Sequence, residues 1–310
     1  MACPAGYTEK DLHLLNGVEH YSVNKNDVEK ATAAFKQICE PDILRKEIMP
    51  EPVMFLASQY SILMQWCKYG LARGSLEHSD FANRVLRRLV NTTRYLNSVV
   101  YGTAEDQAHI ASVIHRYHAV VKADKDSEGD AYYADDPELH KWTAATLFVA
   151  FYDVYEMFFG PMSRPKKTKL MKECAVFGTG LRMPPEMWFE TLEEFYAYWN
   201  HNVETLEVTH WARELANMLM YPKLPWILAP GSIPFTHYMR VMTIHFLPPR
   251  IREGYGFKYG KFKRFEHQIF EPSTKIVVRM TPKPIRHALV KPGVWDMKKA
   301  AKRIEKNGKW

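Results

Sequence analysis

The sequence predicts an all-α protein, built as a single mainly helical domain that continues into an irregular basic tail. Apolar residues recur at helical spacing across residues 26–221, and acidic caps, glycines and prolines mark where the helices begin and end. Only one run, Lys-Ile-Val-Val-Arg-Met at 275–280, has the β-branched character of a strand. No repeat, linker or low-complexity block divides residues 26–250, so one domain is expected.

The helices are expected in order along the chain. The first, at 26–39, carries an apolar face and stops before a proline, and the next, at 53–72, closes at two glycines. A third covers 80–101, and Asp136 with the proline after it begins another helix that runs to Phe159. The remaining helices are predicted at 104–122, 164–177, 190–200, 203–221 and 232–246, and the polar stretch 123–134 is predicted as a loop.

Two segments, 53–71 and 142–159, are apolar enough to be tested as membrane spans. The first contains Lys68, and the second contains Asp153 and Glu156. Ionisable side chains are costly in the hydrocarbon core of a bilayer. Both segments are therefore predicted to be buried helices of a protein that does not span the membrane.

The cysteines indicate a reducing compartment. The chain has four of them, far apart and without a Cys-x-x-Cys pair: Cys3, Cys39, Cys67 and Cys174. This pattern fits neither a disulfide framework nor a zinc site, so free thiols are expected. The first residues lack a basic stretch followed by an apolar run, so no signal peptide is expected. A cytoplasmic protein is predicted.

Charge is placed unevenly along the chain. From Arg250 to Trp310 there are 17 Lys and Arg against 5 Asp and Glu, a net charge of +12, whereas the whole chain carries +7. A basic segment of this kind favours an anionic partner, and a peripheral contact with an intracellular membrane surface is one expectation. A solvated basic face is the alternative. No zinc finger, RNA-recognition signature or basic zipper supports nucleic acid as a partner.

Several enzyme classes are excluded by missing motifs. The sequence has no Gly-x-Gly-x-x-Gly fingerprint and no P-loop, so nucleotide binding has no support. It also lacks Gly-x-Ser-x-Gly, His-Glu-x-x-His and paired Glu-x-x-His motifs, which argues against α/β-hydrolases, zinc proteases and ferritin-like di-iron proteins.

Two histidines within one turn, His115 and His118, mark the predicted helix 104–122. His118 follows the apolar arc of that helix and is expected to face inward, whereas His115 is expected at the boundary with solvent. An inward neutral imidazole can bind a metal through one nitrogen while a hydrogen bond holds the other. A histidine satisfied within the core, without a ligand, is the alternative.

Polar residues on two neighbouring helices complete the set of candidates. Arg88 and Thr92 are four residues apart and share a helix face, and a buried guanidinium there would need an anion. A surface arginine beside a helical threonine is the simpler interpretation. Thr143 and Thr146 lie in an apolar helix, and both hydroxyls are expected to bond back to the preceding turn.

Taken together, these segments resemble one family. The resemblance rests on four ordered elements, Glu-His-Ser, Arg-x-x-x-Thr, His-x-x-Val-Lys and Tyr-x-Asp-Asp-Pro-Glu-Leu-x-x-Trp-x-x-x-Thr, which stand in 76–102, 118–122 and 133–147. Ala-Arg-Glu-Leu at 212–215 and the run at 247–256 also fit. The chain resembles the DUF2236 family, which includes rubber oxygenase (latex clearing protein) and the ER-bound oxygenases of fungal mycophenolic acid biosynthesis.

The resemblance implies an all-helical fold in which a b-type haem lies in a central pocket between helices. His118 corresponds to the histidine that binds the haem iron, and Lys122 stands where the family has a cofactor-binding arginine. Arg88 and Thr92 correspond to catalytic residues on the opposite side of the haem, and Thr146 lies close to the same pocket. His115 is interpreted as incidental. The chain departs from the family at Ala144, where a histidine is common, and at Lys122 itself.

The resemblance implies a haem-dependent oxygenase that uses dioxygen on an apolar, isoprenoid or polyketide-like molecule in secondary metabolism. Oxidative cleavage of a carbon–carbon double bond or hydroxylation is expected. Two alternatives stay open: a cofactor-free cyclase or isomerase with His118 as acid or base, and a non-catalytic lipid-binding protein. The expected organisation is an N-terminal extension at 1–25, the oxygenase domain at 26–255 and a basic C-terminal extension at 256–310.

Overall fold

The structure is a computed structural model that describes residues 41–78, 81–127, 129–222 and 229–310, together with Glu29 and Ala33. Cys3, Cys39 and most of the helix expected at 26–39 lie outside the described residues. Helices dominate the described part of the chain, which confirms the predicted all-α fold.

The helices and strands follow one another closely. A π-helical turn at Leu44–Ile48 and 3₁₀ turns at Pro52–Phe55 and Pro185–Met187 accompany the following elements: α1 Leu56–Gln65, α2 Tyr69–Glu77, α3 Phe81–Tyr101, α4 Ala104–Ala119, β1 Lys122–Ala123, β2 Tyr132–Tyr133, α5 Pro137–Phe159, α6 Arg164–Glu173, α7 Val176–Thr179, α8 Leu192–Thr205, α9 His210–Met220, α10 Ala229–Phe246, α11 Pro249–Gly254, α12 Lys261–Met280, α13 Lys283–Ala288 and α14 Lys291–Asn307.

Helix α5 is the central element. The Asp136 carboxylate accepts a hydrogen bond from the backbone N–H of Glu138 at 2.9 Å, and Pro137 occupies the first turn, as the sequence predicted. The helix ends at Gly160, whose φ of 92° is a conformation that favours glycine. Residues on all sides of α5 are buried, because α1 packs along it and α7 covers another side. It therefore forms the axis of the core.

The long helix predicted at 53–72 is two helices in the structure. Helix α1 ends at Gln65, the chain turns at 66–68, and α2 begins after Lys68, whose backbone is extended. Gly70 and Gly74 lie inside α2 rather than closing a helix. They allow a close approach, because a Cβ atom at Gly74 would meet the Tyr132 ring at 3.1 Å. The break turns α2 toward the β-hairpin.

Helices α3 and α4 form an antiparallel pair. Only Gly102 and Thr103 connect them, and Thr103 and Asp106 form a reciprocal capping box at the start of α4. After α4, the short strands β1 and β2 pair antiparallel, with Lys122 opposite Tyr133. This hairpin brings the residues before α5 back beside the end of α4.

The C-terminal segment is helical, and two predictions about it were wrong. The run at 275–280, predicted as a strand, is the last part of α12, and the tail predicted to be irregular forms α12, α13 and α14. Helix α14 buries Met297 and Ile304, and it packs against both α3 and α4. Val278 is the buried residue of the run, eleven residues or three helical turns after His267, the other buried residue of α12, so the run continues that helix despite the modest preference of β-branched residues for strands.

The described residues contain no helix that is long and apolar enough to cross a membrane. The segments 53–71 and 142–159 are buried helical structure, as predicted. Cys67 and Cys174 are buried free thiols, which agrees with the prediction for these two. The predicted domain boundaries and the pocket between helices stay predictions.

Candidate functional site

A buried carboxylate, Asp135, gathers four basic side chains around it. Its side chain is 5% exposed. One carboxylate oxygen, Oδ1, lies 3.2 Å from His118 Nδ1 and 3.8 Å from both His115 Nδ1 and His140 Nε2. The other oxygen, Oδ2, accepts a hydrogen bond from Arg182 Nη1 at 3.1 Å. We call Asp135, Arg182 and the three histidines the Asp135 cluster.

Four separate elements position this cluster. His115 and His118 lie on the last turns of α4, and His140 lies on the first turns of α5. Asp135 follows β2, so the hairpin carries it to the gap between these helices. Arg182 comes shortly after α7 with a φ of 74°, the left-handed region that non-glycine residues adopt rarely. The local conformation at Arg182 turns its guanidinium back to Asp135.

The electrostatics favour an ionised Asp135 facing neutral His115 and His140. Burial by itself would raise the pKa of Asp135, but its interactions with His115, His118 and His140 hold that pKa well below the usual range. Burial lowers the pKa of His115 to about 3, with a further contribution from the Arg182 charge. Burial also lowers the pKa of His140. Neutral imidazoles and an ionised carboxylate are the forms that bind metals.

Two histidine nitrogens of the cluster lack a hydrogen bond among the described residues. They are His115 Nδ1 and His140 Nε2, on side chains that are 1% and 4% exposed. Both face Asp135 Oδ1 at 3.8 Å, which is too long for a hydrogen bond. Buried polar atoms in folded proteins are nearly always satisfied. These two nitrogens are therefore suited to bind an additional group.

Three members of the cluster have the composition of a metal site. Ligand atoms of His118, Asp135 and His140 all lie within 4.8 Å of one another, the one such group of three among the described residues. Two histidines and one carboxylate on one side of a site are the ligands of many non-haem Fe(II) oxygenases. The donor set can thus hold a transition metal ion.

The predicted orientations of the two α4 histidines were wrong. His115 is buried at 1% exposure, whereas His118 is 30% exposed and stacks on His140 with ring centroids 5.7 Å apart. The buried face of α4 includes the small residues Ala108 and Ala119. Alanines add little to an apolar pattern. The pattern of larger apolar residues therefore predicted a buried face beside Tyr117, but Tyr117 is 53% exposed.

Arg88 and Thr92 lie on α3, on the face that continues to Tyr95. Arg88 is half-buried and its burial lowers its pKa, whereas Thr92 is exposed. The Tyr95 hydroxyl donates to the backbone carbonyl of Phe177 at 2.8 Å, close to the segment that carries Arg182.

Thr146, Thr143 and Lys122, the remaining predicted residues, are not members of the Asp135 cluster. Thr146 is buried between α1 and α5, where its hydroxyl donates to the Thr143 carbonyl at 2.7 Å and accepts from Gln65 Nε2 at 3.2 Å. The Thr143 hydroxyl donates to the Leu139 carbonyl at 2.8 Å, so both threonines bond back to the preceding turn, as predicted. Lys122 is an exposed residue of β1. The contacts of the Asp135 cluster join His118 to Asp135 and His140 rather than to Thr146.

The sequence pointed to one member of the Asp135 cluster and missed four. Asp135 and His140 are five residues apart in the Tyr-Ala-Asp-Asp-Pro-Glu-Leu-His-Lys-Trp run, and one short hairpin separates this run from the two α4 histidines. That spacing of histidines and acid was the signal that could have revealed them. The sequence around Arg182 offered no such signal, because the contact of Arg182 with Asp135 depends on a single backbone conformation.

Comparison with known proteins assigns the chain to a family. A family model described as "ER-bound oxygenase mpaB/B'/Rubber oxygenase, catalytic domain" matches residues 45–278. The chain belongs to this family. The match covers all of the Asp135 cluster and confirms the resemblance, so the chain is an oxygenase-type catalytic domain.

Two relatives of this mpaB/rubber oxygenase chain come from mycobacteria. An uncharacterized protein of Mycobacterium bovis is 25% identical over 231 residues, which cover 74% of this chain and 89% of the relative. An uncharacterized protein of Mycobacterium tuberculosis matches to the same extent. No solved structure matches the chain.

Proposed function

We propose that this member of the mpaB/rubber oxygenase family is a haem-dependent oxygenase acting on an apolar isoprenoid or polyketide-like molecule. The reaction would be oxidative cleavage of a carbon–carbon double bond or hydroxylation, in secondary metabolism. The observation that carries the proposal is the contact between His118 Nδ1 and the buried Asp135 carboxylate, at 3.2 Å.

The residues around His118 fit a histidine that binds iron. A histidine that binds a metal through one ring nitrogen commonly donates a hydrogen bond from the other ring nitrogen to a carboxylate. This hydrogen bond fixes the ring and makes the histidine a stronger ligand. Asp135 is the carboxylate partner of His118 Nδ1, so His118 Nε2 is the nitrogen that stays available for iron. The ring is 30% exposed, and Tyr117 and Val120 beside it are exposed large apolar side chains. An apolar macrocycle would cover such a surface.

Each predicted site residue has a stated part in this proposal. A bound haem would supply the iron chemistry that activates dioxygen. His118 and Lys122 would hold it. Arg88 and Thr92, on the neighbouring helix, would donate hydrogen bonds to oxygen atoms of dioxygen or substrate, and the partial burial of Arg88 would strengthen that interaction. Thr146 would hold α5 in place through Gln65.

An absorption spectrum of the purified protein tests the proposal. We expect a Soret band, which His118→Ala abolishes. His201→Ala is the matched control, because His201 is an exposed histidine of α8 outside the Asp135 cluster, and it should leave the band unchanged. A colourless protein that is nonetheless active, with full activity in His118→Ala, would rule out the haem.

A second candidate is direct binding of iron by His118, Asp135 and His140, without haem. It is favoured by the buried His140 Nε2, which lacks a hydrogen bond and faces Asp135 Oδ1 at 3.8 Å. Elemental analysis separates the two candidates. In the non-haem case His140→Ala loses the metal and no Soret band exists, whereas in the haem case His140→Ala keeps both iron and band.

The two alternatives from the sequence are also outcomes of this experiment. A cofactor-free cyclase or isomerase would be colourless and metal-free, and His118→Ala would abolish its activity through loss of an acid or base. A lipid-binding protein would be colourless and would show no turnover. The spectrum, the metal content and the turnover together therefore distinguish all four.

A further inference from the structure

Helix α12 carries an apolar stripe on the side that faces away from the protein. Five large apolar side chains follow one another at spacings of three, four and seven residues, and each is 47–78% exposed: Phe262, Phe265, Ile269, Ile276 and Met280. The opposite face of the same helix holds its buried residues, His267 and Val278. We call these five residues the α12 stripe. Its length is about 27 Å, from the helical rise of 1.5 Å per residue.

This arrangement differs from an ordinary amphipathic helix, whose apolar face is turned to the core. Helix α12 uses its less apolar face for the core: His245 stacks on His267 with ring centroids 3.6 Å apart, and the Tyr238 and Thr274 hydroxyls are 2.9 Å apart. A contiguous exposed apolar surface of this kind marks an interaction site. The stripe is therefore a surface that requires a partner.

Positive charge accompanies the stripe. Lys261, Arg264 and Arg279 are exposed along one flank of α12. The whole segment from Arg250 carries a net charge of +12. Exposed apolar side chains continue beyond α12 at Leu289, directly after α13, and at Trp295 in α14, which are 65% and 64% exposed. The apolar and basic groups occupy one continuous part of the chain.

We propose that the α12 stripe docks the protein onto an anionic membrane surface, with α12 lying parallel to the bilayer plane. Apolar side chains enter the boundary between headgroups and acyl chains, and the flanking lysines and arginines bind anionic headgroups. A second copy of the chain is disfavoured as the partner, because pairing the stripes would bring two strongly basic surfaces together. The proposal is independent of the function proposed for the Asp135 cluster.

The stripe also borders an open cleft of about 430 Å³ lined by Tyr221, Ile233, His237 and Arg240 among others. His237 contacts Glu266, at the edge of the stripe, with 2.6 Å between Nε2 and Oε1. Docking through α12 would therefore hold this cleft beside the bilayer.

Co-sedimentation of the full chain with lipid vesicles tests the proposal. We expect binding to phosphatidylcholine vesicles that contain about one third phosphatidylserine, weaker binding to phosphatidylcholine alone, and loss of binding as salt rises, since exposed charges are screened over about 10 Å at 0.1 M salt. The double variant Phe262→Ser with Phe265→Ser should lower the partition coefficient about tenfold or more. Lys261→Gln with Arg279→Gln should remove the preference for the anionic vesicles.

Leu86→Ser is the matched control, because Leu86 is a 50% exposed leucine on α3 outside the stripe. All variants change exposed side chains, and unchanged thermal unfolding would show that they fold. Equal binding by wild type and by the double phenylalanine variant would overturn the proposal. So would sedimentation velocity showing a dimer that dissociates in that variant, because the stripe would then be a contact between copies.

Discussion

At the scale of single residues, Asp135 is the group on which the candidate site depends. It accepts from Arg182 and faces three histidine nitrogens with one oxygen. Replacing it with asparagine removes the charge and keeps the shape. We expect Asp135→Asn to lower the free energy of unfolding by about 3–5 kcal/mol, because Arg182 stays buried without its carboxylate.

Urea denaturation measures this change. Asp130→Asn is the control, since Asp130 is an exposed aspartate whose partner Lys125 is exposed too, and it should change stability by less than about 0.5 kcal/mol. Equal unfolding midpoints for Asp135→Asn and wild type would contradict the central position given to Asp135.

A second residue-scale prediction concerns Asp153, on the side of α5 that faces α1. Burial raises the pKa of Asp153 from 3.8 to about 7, although the Tyr60 hydroxyl donates to it at 3.1 Å. The folded state therefore holds this proton more tightly than the unfolded state. The contribution of Asp153 to stability is fully present below pH 3.8 and is lost as the pH rises toward 7.

Asp153→Asn removes the cost of a buried charge. We expect it to stabilise the protein by about 2–3 kcal/mol more at pH 8 than at pH 5, because the folded wild-type protein keeps its proton on Asp153 at pH 5 and loses it by pH 8. Thermal unfolding at both pH values checks this. An equal shift at pH 5 and pH 8 would mean that Asp153 does not titrate in this range.

At the scale of elements, Arg73 connects α2 to the hairpin that precedes Asp135. Its guanidinium donates two hydrogen bonds to the Asp126 carboxylate, at 2.6 and 2.9 Å, and one each to Glu77 and Tyr69 at 2.7 Å. The side chain is 4% exposed. The position of the hairpin, and with it the position of Asp135, depends on this planar group.

We expect Arg73→Lys to destabilise the protein by about 2 kcal/mol, because an ammonium cannot make the paired contact with Asp126. Amide hydrogen exchange in the hairpin should accelerate, while exchange in α8 stays the same. Arg213→Lys is a suitable control, as Arg213 is an exposed arginine that donates to the Gly254 carbonyl. Unchanged hairpin exchange in Arg73→Lys would show that other contacts position the hairpin.

At the scale of the whole molecule, the C-terminal helices pack into the same hydrophobic core as the rest of the described chain. Val278, Met297 and Ile304 belong to the same buried cluster as Leu44 and Ile48 near the start of the described chain. The Arg94 guanidinium on α3 donates to both carboxylate oxygens of Asp296 on α14, at 2.7 and 3.1 Å. Removing the C-terminal helices would expose a large part of this core.

We therefore expect the segment from 256 to 310 to unfold together with the rest of the chain in one transition. Differential scanning calorimetry should give a calorimetric enthalpy equal to the van't Hoff enthalpy. Two separate transitions, one of them abolished by Ile304→Ala, would show that the C-terminal helices form an independent unit.

The sequence by itself determined the helical fold and the start of α5 at Asp136. It also determined that both α5 threonine hydroxyls donate hydrogen bonds to carbonyls of the preceding turn. It also placed His118 at the site through a motif. These features depend on residues within a few turns of one another, where helical spacing and capping chemistry act directly.

Only the tertiary structure decided which charged groups meet and which faces are buried. Asp135 lies 17 residues from His118 and 47 from Arg182, and the hairpin and a left-handed backbone conformation bring them together. The tertiary structure also turned the apolar face of α12 outward and buried His115 in place of His118. Periodicity shows that a helix has two faces, but the free energy of burying one of them depends on neighbours that are distant in the chain.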